Sequence, residues 1–225
     1  MRVLVVAAHP DDEILGVGGT AALHIQRGDS VQLVILTDGV SMRYSPECQL
    51  EARKHSQQAA ARQAAAVLGV EDLVIRELPD QRLDSLPLSQ VITEVESLVR
   101  SFQPEIVYTH FGGDINRDHR TLAEAVLVAT RPYAAPYVRE VLMYETPSST
   151  EWGAPQLSPP FQPNVFVDIT DTLDKKLEAF ACYSAEVCQE PHPRSLSALR
   201  DRARYWGSLV NRKAAEPFAC VRALR

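Results

Sequence analysis

The chain has 225 residues, 45% of them hydrophobic, with 29 acidic and 23 basic side chains and a net charge of −6. That length supports a sizeable core and no linker-like stretch divides it, so residues 1–225 read as a single domain. Basic residues scattered under a net negative charge exclude the electrostatic footprint of a nucleic-acid binder and favour a small-molecule substrate.

The first element is an apolar strand, Arg2 to Ala8. It is too short and too soon followed by charge to be a signal peptide or a membrane span, which sets the expectation of a cytoplasmic protein. It ends on Ala8-His9-Pro10-Asp11-Asp12-Glu13. Gly18 to Arg27 reads as a helix stopped by Gly28, Val31 to Leu36 as a strand, and Glu51 to Leu68 as a helix stopped by Gly69. Leu73 to Arg76 is the next strand, Leu88 to Phe102 the next helix, and Glu105 to Thr109 a further strand. A second polar cluster, Asp114-Ile115-Asn116-Arg117-Asp118-His119, leads into a helix from His119 to Thr130, and Glu140 to Tyr144 is again a strand. Pro147 to Pro163, rich in Ser and Pro and without a period, reads as a long loop of the kind that usually carries function. Val165 to Ile169 is placed as an edge strand, with Asp171 to Ala185 and Ser195 to Arg212 as closing helices. This alternation is the rhythm of βαβ units, and right-handed crossovers turn it into an α/β fold, a three-layer Rossmann-like sandwich around a mainly parallel sheet. The four cysteines, Cys48, Cys182, Cys188 and Cys220, form no CxxC pair and have no zinc-finger spacing, so free thiols are expected.

Both polar clusters follow apolar strands, and in an open α/β sheet the ligand crevice lies beyond the carboxyl ends of the strands. Together they offer two histidines and a carboxylate for a zinc ion, and a spare carboxylate as a base. His9 and Asp12, three apart in a tight turn, can face one ion while Asp11 points elsewhere. The plainer account is that Pro and Asp close a strand and cap a helix. Two such clusters, each after a predicted central strand, favour chemistry over two separate caps.

AHPDDE near the amino terminus with a downstream Asp-His pair opening a helix resembles the PIG-L/LmbE-like zinc-dependent deacetylases. Asp114-Ile115-Asn116 before Asp118-His119-Arg120, then Ser148-Ser149-Thr150-Glu151-Trp152, Phe161-Gln162-Pro163-Asn164 and Pro191-His192-Pro193-Arg194-Ser195, are similar to one bacterial branch of that family. The resemblance implies hydrolysis of an N-acetyl group on an N-acetylglucosamine-type amino-sugar conjugate, with Zn2+ held by His9, Asp12 and His119 and Asp11 as general base. It also implies a possible homo-oligomer. Asp118 is placed behind the metal ligands, since metal-bound imidazoles commonly give their other N–H to a carboxylate, with a helix cap as its alternative role. Glu13, at the start of a helix, is left outside the chemistry as a partner of the helix dipole. Many family members have a histidine at the position of Asn116, and an amide side chain cannot shuttle a proton. Either Asp11 serves both ways, or His192 or His110 supplies the acid; of the two histidines, His192 is preferred. Arg43, Arg117 and Arg194 are candidates to hold a substrate oxyanion, and Trp152 to stack on a sugar ring.

Two rival readings remain. Gly16-Val17-Gly18-Gly19-Thr20-Ala21 fits GxGxxA, with Asp38 at about the spacing of a ribose-binding acid, as in a nicotinamide dinucleotide-binding oxidoreductase. Seven residues separate the strand from the first glycine and three of them are acidic, which opposes a bound pyrophosphate. A non-catalytic zinc-binding relative is the other.

Overall fold

The computed structural model describes residues 1–42 and 47–225. Five parallel strands are joined by helices: β1 (Arg2–Ala7), α1 (Asp12–Gln26), β2 (Ser30–Thr37), α2 (Glu47–Leu68), β3 (Asp72–Leu78), α3 (Leu88–Phe102), β4 (Ile106–His110), α4 (Arg117–Ala129) and β5 (Glu140–Tyr144). They are followed by β6 (Val165–Asp168), α5 (Leu173–Ala181), α6 (Leu196–Leu209) and β7 (Ala215–Ala223). The sheet runs β3-β2-β1-β4-β5-β7-β6. Val3 and Val5 of β1 face one apolar core, shared with α1, α2, α5 and α6, while Leu4 and Val6 face the other, shared with α3 and α4. This is the expected three-layer α/β sandwich. Among the described residues no helix is long and apolar enough to cross a membrane, and Cys182, Cys188 and Cys220 are unbridged.

Two elements differ from the sequence expectation. Residues 215–223 carry Pro217, which normally demotes a strand to an edge, yet β7 lies between β5 and β6 and pairs antiparallel with both. The pairing with β5 reaches only Phe218, opposite Tyr144, so the missing N–H of Pro217 falls past the end of β5. Expected as an edge strand, β6 is one.

Helix α1 starts at Asp12 rather than Gly18, because the carbonyl of Asp11 accepts from the N–H groups of Ile14 (3.0 Å) and Leu15 (2.9 Å). Gly16, Gly18 and Gly19 therefore lie inside the helix and not at its anion-binding end. Their role is close packing: a Cβ on Gly16 would lie 2.1 Å from Tyr144 Cδ2, and one on Gly19 2.8 Å from Ile169. Asp38 spends one carboxylate oxygen on the N–H groups of Val40 and Ser41. The dinucleotide reading thus fails on both of its features. Against the same helix, Glu216 of β7 accepts from the N–H of Gly19 and of Thr20, and Lys176 of α5 binds both Glu216 and the Leu15 carbonyl, so a buried ion pair ties α1 to α5 and β7.

Gly16→Ala tests the packing role. Tyr144 is fully buried and its hydroxyl donates to the Val6 carbonyl (3.0 Å), so the ring has no room to withdraw. A loss of about 1–3 kcal/mol is expected from overpacking, read as a lower denaturant midpoint at unchanged slope; a wild-type midpoint would mean the contact is soft.

Candidate functional site

In the sheet order the chain runs outward from β1 through β2 to β3 on one side and from β4 to β5 on the other, so the crevice opens between the carboxyl ends of β1 and β4. The turn after β1 delivers His9, Asp11 and Asp12; the loop after β4 and the first turn of α4 deliver Asp114, Asn116, Asp118 and His119. Three donor atoms meet there. His9 Nδ1 is 3.0 Å from Asp12 Oδ2, His119 Nε2 is 3.2 Å from Asp12 Oδ2, and the two nitrogens are 3.2 Å apart.

Zinc bonds to nitrogen and carboxylate oxygen of roughly 2.0–2.2 Å set the edge of a tetrahedron at about 3.3–3.6 Å. The observed triangle is slightly tighter than one face of it. The donor set is that of a catalytic zinc site, two imidazoles and a carboxylate, and it fits the ion. The electrostatics agree. Burial penalises the His9 imidazolium, but Asp118 and Asp12 outweigh it and raise its pKa to about 10. Burial also penalises the Asp12 carboxylate, yet His119 above all holds it well below the usual range. The site is one in which a positive charge is favoured.

Asp11 stands beside this triangle in an unusual backbone. Its φ of 110° is left-handed, costly for a residue with a Cβ, and it holds no side-chain cap on α1. Glu13 holds it in place, accepting the Asp11 N–H at 3.1 Å while also accepting the Tyr183 hydroxyl. The Asp11 carboxylate turns instead to Arg194 Nη1 at 3.0 Å. Burial first and Asp12 second push its pKa well above the ordinary range, with Arg194 opposing. For Glu13, burial raises the pKa to about 7 against the pull of Tyr183.

The carboxylates behind the histidines are divided between the two rings. Asp118 serves His9, with Oδ2 3.1 Å from His9 Nε2 and Oδ1 accepting the Leu83 N–H. Asp80 Oδ1 lies 3.5 Å from the same nitrogen. His119 is served by Asp114, at 3.3 Å from Nδ1. The helix cap falls to Asn116, whose Oδ1 accepts the Asp118 N–H at 2.9 Å. His110 is structural: its Nε2 accepts the Ala8 N–H, its Nδ1 faces Thr146 Oγ1, and its ring stacks on His119 at 3.8 Å. Burial lowers its pKa well below the ordinary value, so it stays neutral.

His9, Asp11, Asp12, Asp80 and His119 line an open cavity of about 120 Å3, with Gln81, Asn116 and residues 146–149 on its walls. Pockets that enclose a drug-sized ligand run to about 300–1,000 Å3, so this one is smaller than a pocket that would enclose such a molecule whole. The candidate substrate residues divide. Arg194 lines the cavity, but its Nη1 is engaged by Asp11 and Glu186 rather than presented as an oxyanion fork. His192 is not on the wall; its Nδ1 accepts the Arg194 N–H and its ring meets Trp152 edge-on at 6.4 Å. Trp152 is 54% exposed, and Arg117 is exposed on the first turn of α4, also off the wall. Arg43 lies outside the described residues.

Sequence reasoning missed Asp80 and gave Asp114 no role. Asp80 follows β3, so the positional rule that selects His9 and His119, a polar residue just past a parallel strand, selects it too.

The family model for PIG-L, GlcNAc-PI de-N-acetylase, matches residues 4–130. The chain is 30% identical to the uncharacterized deacetylase YaiS of Escherichia coli K12, over 75% of this chain and 82% of that protein. It is 28% identical to a 4-oxalmesaconate hydratase of Pseudomonas putida, over 81% of this chain and 73% of that one. The solved N,N'-diacetylchitobiose deacetylase of Pyrococcus horikoshii has the same fold, with a TM-score of 0.78 at 21% identity over 98% of this chain and 84% of that one.

Proposed function

Starting from the PIG-L family, to which this chain belongs, we propose that it is a zinc-dependent amidohydrolase that removes the N-acetyl group from an N-acetylglucosamine-type conjugate. The observation that carries the reading is the donor triangle of His9, Asp12 and His119 with the Asp11 carboxylate in the same cavity. When bound there, zinc supplies Lewis acidity that acidifies water and polarises an amide carbonyl. Asp11 takes the proton from the attacking water, held in place by Arg194 at its carboxylate and Glu13 at its backbone. Asn116, with Oδ1 committed to the helix, offers its Nδ2 hydrogens to the developing oxyanion. The amide C–N bond then breaks, giving acetate and the free amine.

Zinc content measured alongside acetate release from a panel of N-acetylglucosamine conjugates tests this. Bound zinc with acetate release supports it. The relative named 4-oxalmesaconate hydratase favours a second reading, addition of water to that compound; consumption of 4-oxalmesaconate with no acetate release from the panel would replace the first. Zinc without either turnover would mark a non-catalytic relative.

The leaving amine needs a proton. Asp11 lines the cavity and His192 stands behind Arg194, so the proton taken from water is assigned to return from Asp11. His192→Gln and His110→Gln should then each keep most of the turnover. A loss of roughly a hundredfold or more in the His192 variant, the scale of a lost general acid, at unchanged zinc content would give the role to His192.

A further inference from the structure

Asp114 is fully buried, and four groups converge on its carboxylate. Oδ1 accepts the Asn116 N–H at 2.8 Å and the Ser149 hydroxyl; Oδ2 accepts the Thr150 hydroxyl at 2.6 Å and lies 3.3 Å from His119 Nδ1. Three donors point at its two oxygens, so the carboxylate is held as an acceptor. His119 has a carboxylate oxygen at each ring nitrogen, Asp114 Oδ2 at Nδ1 and Asp12 Oδ2 at Nε2; once Nε2 gives its lone pair to a metal held together with Asp12, the remaining ring hydrogen must sit on Nδ1, the nitrogen that faces Asp114. Stacking on His110 fixes the ring plane but not which nitrogen is protonated. Ser149 belongs to the cavity wall, so the same carboxylate joins that wall to the ring.

We propose that Asp114 is the positioning residue of His119: it sets the imidazole tautomer that can bind a metal and ties the ring to the 149–150 turn of the cavity wall. The proposal rests on the metal-site reading above. It also separates Asp114 from Asp118, whose carboxylate acts on His9.

The test is made on the folded full-length chain loaded with zinc, by competition with a chelator and by long-range 15N–1H correlation of the histidine rings. In the wild type, His119 should bind through Nε2 with hydrogen on Nδ1. Asp114→Asn offers an amide hydrogen to Nδ1 and should weaken zinc by about 10–100-fold, as loss of a group behind a metal ligand does, while changing the His119 ring signals. Asp118→Asn should leave the His119 signals in place and move those of His9. Should Asp114→Asn fail to fold, Ser149→Ala, which leaves the carboxylate intact, should keep the tautomer and the zinc affinity. Wild-type His119 bound through Nδ1, or Asp114→Asn with unchanged affinity and ring signals, overturns the proposal. A wild-type chain that binds no zinc would instead overturn the metal-site reading beneath it.

Discussion

Asp11→Asn is expected to keep its zinc and lose about a hundred- to ten-thousand-fold in turnover, the usual cost of removing a general base. The two effects separate because Asp11 is not among the three donors in the triangle. Its carboxylate contacts Arg194 and lines the cavity, and its backbone carbonyl starts α1, a role the amide variant preserves. Substitution by Asn is also compatible with the left-handed φ of 110°, since Asn tolerates positive φ better than most residues. The change therefore removes one negative charge and one proton acceptor with little else. A second consequence is local: Arg194 keeps Glu186 as its partner, so the guanidinium is not left uncompensated. Near-wild-type turnover at full zinc occupancy would mean another group activates the water; apart from Asp12, the other carboxylates on the cavity wall are Asp80 and Glu186.

How much of this site was legible in the sequence depends on how far each contact travels along the chain. β1 and β4 announce themselves as aliphatic runs buried on both faces, and the polar clusters immediately after them fall at the crevice by topology alone. That is enough to assemble His9, Asp11, Asp12 and His119. The sequence places Asp118 behind the metal histidines without showing which of them it serves, for a geometric reason. Adjacent residues on a helix do not face each other, so Asp118 turns to His9 and the ring beside it is reached by Asp114 from the preceding loop. Arg194 illustrates the other failure. A guanidinium near a cavity reads equally well as a substrate clamp or a partner for a buried acid, and only the fold brings it, 183 positions away, onto Asp11. Likewise β7 was hidden because Pro217 forbids a ladder bond, and nothing local shows that its partner strand has already ended there.

The three ligand variants should each weaken zinc by more than about 100-fold, beyond the 10–100-fold typical of partners behind a ligand, but they should differ in what else they disturb. His119→Ala removes one donor and leaves Asp114 with three hydrogen-bond donors, Asn116, Ser149 and Thr150, so its metal-free fold should be the least affected. Asp12→Ala also removes the acceptor of the His9 N–H, 2.9 Å away, and so loosens the turn itself. His9→Ala has the widest reach. It strips a shared partner from Asp12 on one side and from Asp118 and Asp80 on the other, leaving buried carboxylates to repel one another. The expected order of metal-free thermal stability is therefore His119→Ala above Asp12→Ala above His9→Ala, with zinc lost from all three on dialysis. Metal analysis and melting curves on the same dialysed samples check both statements. Full zinc occupancy in any variant removes that residue from the ligand set, and a His9 variant as stable as the His119 variant would show that the carboxylates around His9 do not depend on its charge.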